Sequence, residues 1–132
     1  MCQLTPPAEI VLVMDETAGR LARRFLDEHW CRPHASALRP QGDLVVTELV
    51  TNAVRHGAPP AALRLECEGE AGVVVRVHDA DPHAPQLRHV DPGALGGRGI
   101  ALVDVLSAQW GVDPAADGKT VWSRLVGRTP TG

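Results

Sequence analysis

Between Leu63 and Asp79, apolar and polar residues alternate on both sides of a short glycine-containing turn, and no other feature limits the fold as tightly. Leu63, Leu65 and Cys67 interleave with Arg64, Glu66 and Glu68. After Gly69-Glu70-Ala71-Gly72 the chain continues as Val73-Val74-Val75-Arg76-Val77-His78-Asp79. A period of two belongs to strands, so this stretch predicts a hairpin with one dry face and one wet face. A sheet that is dry on one side needs a covering layer.

Amphipathic helices supply that layer. Residues 16–29 set Ala18, Leu21, Ala22, Phe25 and Leu26 on one helical face, opposite Arg20, Arg23, Arg24 and Asp27. After a connection carrying Pro33, Pro40 and Gly42, Asp43 can cap a second helix that runs to His56 and stops at Gly57-Ala58-Pro59-Pro60. Its apolar stripe is Val46, Leu49, Val50, Ala53 and Val54. A third helix over 97–110 lines up Ile100, Val103, Leu106 and Trp110, with Gly111 placed to close it. A β-branched run at 8–14 predicts a first strand, and a last hairpin joins residues 111–114 to 120–126 through Ala116-Asp117-Gly118. The sum is an α+β fold: a two-layer sandwich whose mixed, mostly antiparallel sheet is covered on one face by three helices.

With 132 residues, 44% hydrophobic and 22% charged, the chain has the composition of one globular domain, with a core over 8–126. Residues 80–96 hold Pro82, Pro85 and Pro92 and exceed the usual length of a structureless connection, so they are read as a lid. Thirteen basic against sixteen acidic side chains leave no surplus for a nucleic-acid backbone. No apolar run approaches the roughly 18 residues of a membrane span. The start lacks a basic stretch followed by an apolar one, and the three cysteines are an odd number, so a cytoplasmic location is expected.

Chemistry-bearing residues gather in three places. On the second helix Glu48, Asn52 and His56 recur at i, i+4 and i+8, presenting a carboxylate, an amide and an imidazole on one flank; an ordinary solvated helix face would look the same. Asp79 falls in register with Val73, Val75 and Val77, so its carboxylate points into the core and needs either a protein partner or a ligand N–H. Gly96-Gly97-Arg98-Gly99 opens the third helix, where backbone amides can approach an anion, although a plain hinge would use the same residues. Gly118-Lys119-Thr120 has the end of a P-loop without its first glycine and precedes a strand, which excludes a Walker A motif. His29, Cys31 and His34 form an H-x-C-x-x-H run with no obvious fourth ligand, and surface scatter explains it better than a metal.

Taken together, the segments Glu48–Gly57, Asp79, Gly97–Val103 and Gly118–Trp122 resemble the N, G1, G2 and G3 boxes of the GHKL ATPases, in order and spacing. Within that superfamily the chain is similar to the anti-sigma-factor serine/threonine kinases and their actinobacterial relatives, over nearly all of 8–126. The resemblance implies a Bergerat fold with ATP held between helices and sheet under the lid. It assigns Mg²⁺ to Asn52, the general base to Glu48, the adenine N6–H acceptor to Asp79 and support of the adenine end to Thr120. It gives phosphate contacts to Gly97, Arg98, Gly99 and Ile100 at the start of the third helix, and further ones to Arg55 or His56. Partners implied are an anti-anti-sigma protein of STAS type, a sigma factor and a second copy of the chain. One departure stands out: Asp79-Ala80-Asp81-Pro82 lacks the glycines of the usual D-x-G-x-G form. A non-catalytic, nucleotide-responsive interaction module is therefore the alternative expectation.

Overall fold

A computed structural model of the chain describes residues 7–83 and 98–127. Its elements run β1 (Ala8–Leu12), α1 (Ala18–His29), α2 (Arg32–Ala35), a 3₁₀ turn at Ser36–Leu38 and α3 (Arg39–His56). They continue as β2 (Ala61–Cys67), a 3₁₀ turn at Gly69–Ala71, β3 (Val73–Asp79), α4 (Arg98–Leu106), β4 (Gln109–Ala115) and β5 (Gly118–Leu125). The five strands form one sheet in the order β1-β2-β3-β5-β4. Every described pairing is antiparallel, so the parallel component implied by a mixed sheet does not occur among the described residues. The α+β sandwich itself is as expected.

Core-facing strand residues Leu63, Leu65, Val75, Val77, Val121 and Leu125 pack with Ala22, Phe25 and Leu26 of α1, Val46, Leu49 and Val50 of α3 and Val103 of α4. Pro114 sits in β4, an edge strand, where its missing N–H costs no ladder bond on the solvent side. β5 returns between β3 and β4, antiparallel to both, which sets its start at Lys119 beside the end of β3 at Asp79.

Two boundaries differ from the sequence reading by four residues, the others by two or fewer. α3 begins at Arg39 and not at Asp43, with Pro40 in its first turn, where a proline lacks nothing that the helix needs. Asp43 caps nothing: its carboxylate accepts from Arg39 Nε at 2.7 Å, while Arg39 Nη2 reaches Asp27 of α1 at 2.6 Å and fastens the two helices together. Gly42 lies inside α3 and is buried, because any Cβ there would overlap the Trp30 ring. Packing, not helix breaking, selects that glycine.

α4 likewise stops at Leu106, and Trp110 and Gly111 belong to β4, where they pair with Ser123 and Trp122 of β5. The 3.6-residue stripe continues through Trp110, but a strand partner competes for its backbone and wins. Trp110 Nε1 still reaches back to Asp104 Oδ1 at 2.8 Å.

The outer face of the sheet carries interlocked charges. Glu66 Oε1 accepts from Arg64 Nε at 2.8 Å and from Arg76 Nε at 3.1 Å, and Arg124 Nε donates to Glu68 Oε1 at 3.0 Å. Burial pushes the Glu66 carboxyl upward, but the two guanidinium bonds outweigh it and hold it below its ordinary value. A depressed carboxylate stabilises the fold above its unfolded pKa, and that contribution fades as pH falls through the folded value. Glu66→Gln is expected to cost about 1 kcal/mol at neutral pH, discounted for the exposure of its partners, and to flatten the stability profile below about pH 5. Urea denaturation across pH checks this; parallel profiles for the two proteins would refute it.

Candidate functional site

The alternation of β3 carries Asp79 to the helix side of the sheet, where it is 2% exposed. A buried carboxylate needs donors. Three arrive at Oδ1: Lys119 Nζ at 3.1 Å, the Asp81 amide at 2.8 Å and the Ala58 amide at 3.4 Å. Lys119 is the chain's only lysine, is 3% exposed, and stands directly opposite Asp79 in the β3–β5 register. It also donates to the Asp81 carbonyl at 2.9 Å, tying down the segment that leaves β3. Among the described residues, every donor to the Asp79 carboxylate falls on Oδ1.

Two glycines let this corner close. Gly57, which ends α3, lies so near that a Cβ would stand 2.7 Å from Asp79 Cγ and 2.6 Å from the Ala53 carbonyl. Gly118, at φ +144°, occupies backbone space where a Cβ would collide with the carbonyl of Asp79 and sit 2.7 Å from Ala80 Cα. Gly118→Ala is expected to destabilise by about 2–3 kcal/mol, since both the dihedral and the contact are with backbone that cannot step aside. Thermal unfolding measures it; a change under about 0.5 kcal/mol, the range of an ordinary surface substitution, would show that the corner yields.

From this corner α3 carries the polar flank away along the sheet. Glu48 and Asn52 are half-buried and one turn apart, while Arg55 and His56 at its end are exposed. The helix register therefore brings Glu48 and Asn52 together, and Gly57 links the same helix to Asp79.

Thr120 is placed elsewhere. Its Oγ1 lies 3.0 Å from His78 Nδ1, and both side chains are on the sheet face opposite Asp79. The residue that β5 turns toward Asp79 is Lys119, which the sequence reading passed over after excluding a P-loop. The signal was present: positions 119, 121, 123 and 125 share one face, and Asp79 was already expected to point inward. Arg98, Gly99 and Ile100 form the first turn of α4. Gly97 and lid positions 84–96 lie outside the described residues.

Chemically, Asp79 and Lys119 set an acceptor beside a donor in a dry corner.

Residues 12–125 match the family model described as histidine kinase-like ATPase domain, and the chain belongs to that family, within the GHKL ATPases. An uncharacterized protein of Streptomyces coelicolor is 34% identical over 92 residues, which are 64% of this chain and 85% of the relative. Among solved structures, the RsbU and RsbW domains of Rv1364c from Mycobacterium tuberculosis share the fold, with a TM-score of 0.63 and 21% identity over 92% of this chain. This chain spans 32% of that one.

Proposed function

We propose that the chain is an ATP-binding serine/threonine kinase of the anti-sigma-factor type, which phosphorylates an anti-anti-sigma partner and sequesters a sigma factor. The observation that carries this reading is the meeting of the α3 terminus with the Asp79–Lys119 pair, in a chain of the histidine kinase-like ATPase family. The RsbU–RsbW neighbour, whose fold it shares, supports a partner-switching role. No helix among the described residues is long and apolar enough to cross a membrane.

In this reading Asp79 accepts the N6–H of adenine, and Lys119, in place of Thr120, serves the base end. Asn52 holds Mg²⁺, which when bound neutralises phosphate charge. Glu48 accepts the proton of the attacking serine hydroxyl as its oxygen bonds to the γ-phosphorus and ADP departs. The amides at the start of α4 receive phosphate oxygens, as helix N-termini do.

The second reading, a non-catalytic nucleotide-responsive module, draws on the same corner: Lys119 already occupies Asp79, and the segment after Asp79 has no glycine. Calorimetric titration with ATP, with and without Mg²⁺, separates the site from its absence. Magnesium-dependent binding is expected, with its magnesium dependence lost in Asn52→Ala and affinity reduced about 10- to 150-fold in Asp79→Ala, the worth of one hydrogen bond to a charged group. Absence of binding to the folded chain would overturn the ATP assignment. Transfer of labelled phosphate to serine of a co-encoded STAS-type protein then distinguishes kinase from module.

A further inference from the structure

At the far end of the sheet from Asp79, Cys67 closes β2 opposite Val73. The length of β3 separates this end from the Asp79 corner by about 20 Å, at roughly 3.3 Å per residue. The same alternation that buries Leu63 and Leu65 turns Cys67 toward the helices, where it is 3% exposed. Against it lies the connection between α1 and α3. Cys31, 2% exposed, precedes α2, and His34, three residues on within that short helix, reaches the same spot from the solvent side. Cys31 Sγ stands 3.5 Å from His34 Nδ1 and Cys67 Sγ 3.8 Å from the same nitrogen, and the three donor atoms all lie within 4.8 Å of one another.

We propose that Cys31, His34 and Cys67 form a Zn²⁺ site, supplying three protein ligands from the described residues. Bond lengths of about 2.3 Å for Zn–S and 2.0–2.1 Å for Zn–N give a tetrahedron whose S···N edge is about 3.6 Å. The two Sγ···Nδ1 distances, 3.5 and 3.8 Å, fall on either side of that value. Two sulfurs and an imidazole select a thiophilic ion over Mg²⁺ or Ca²⁺, which take oxygen ligands. Both thiols are buried and His34 is exposed, so the two sulfurs close the site from within and the imidazole closes it from the solvent side. Binding releases the protons of the coordinating thiols and joins the α1–α3 connection to the end of β2.

His29, the third member of the sequence run, takes no part: its ring lies 4.7 Å from Phe25. The third ligand is instead Cys67, 33 residues beyond His34. Only the fold brings it there.

The test uses the full chain, reduced and stripped of metal. Titration with Co²⁺ is expected to give one equivalent of tetrahedral absorption with thiolate charge-transfer bands, displaced by one equivalent of Zn²⁺. Zn²⁺ is expected to raise the unfolding temperature. Cys67→Ser and His34→Ala should each weaken Zn²⁺ more than about 100-fold, since loss of a second-sphere partner alone costs about 10- to 100-fold. His34 is exposed, so its variant remains informative if Cys67→Ser fails to fold. Octahedral Co²⁺ spectra, substoichiometric binding or unchanged affinity in His34→Ala would overturn the proposal. So would formation of a Cys31–Cys67 disulfide at the same rate with and without Zn²⁺.

Discussion

Lys119→Met is expected to cost about 3–5 kcal/mol, the usual loss when one member of a buried ion pair is removed. The cause is the group left behind. Among the described residues, Asp79 would keep the Asp81 and Ala58 amides, at 2.8 and 3.4 Å, in a corner where it is 2% exposed. Against a total stability of about 5–15 kcal/mol this is a large fraction, and it corresponds to a fall in Tm of roughly 10–20 °C for a chain of this size. Adding Asp79→Asn should restore much of the loss, because an amide in place of the carboxylate removes the orphaned charge. Urea denaturation of the two single variants and the double variant gives the coupling directly. A Lys119→Met protein within 1 kcal/mol of the parent would mean that the ion pair is open to water in solution.

Glu48→Gln is expected to lower phosphoryl transfer to a serine acceptor by about 10²- to 10⁴-fold, the range that a positioned general base contributes. The substitution keeps size and helix propensity, so α3 and its buried stripe should be untouched. ATP affinity should stay within a few-fold, because on this assignment Glu48 acts on the hydroxyl and not on the nucleotide. Single-turnover transfer with saturating ATP isolates the step. A normal rate would remove Glu48 from the proton path, whereas equal losses in binding and rate would move it to the phosphates. The two variants probe opposite ends of one helix's reach: Lys119 pairs with Asp79, which lies against Gly57 at the end of α3, and Glu48 lies along α3 from it.

The elements most legible in the sequence were those whose signals are local. The β2–β3 hairpin and the inward direction of Asp79 follow from a period of two, and the end of α3 follows from Gly57 and the prolines after it. The start of α3 was misplaced because Pro40 and Gly42 look like breakers until Trp30 is known to lie across Gly42. Trp110 continued a helical stripe convincingly, yet β5 offered its backbone a ladder. For the candidate site, spacing placed Glu48 and Asn52 on one flank of α3, while the roles proposed for them came from the family resemblance. Lys119 was not, since its role depends on which residue of β5 stands across from Asp79.

By itself the sequence determined the layers: hydrophobic period fixes whether a segment coils or extends and which side it buries, and those preferences act over a few residues. Tertiary structure alone decided which polar groups meet. Asp79 with Lys119, Gly57 against the Asp79 carboxylate, and Cys67 with Cys31 and His34 are pairings between residues that lie 22–40 positions apart in the chain. Such pairings arise from strand order and register, which are set by the whole core packing at once and leave no mark in any local pattern.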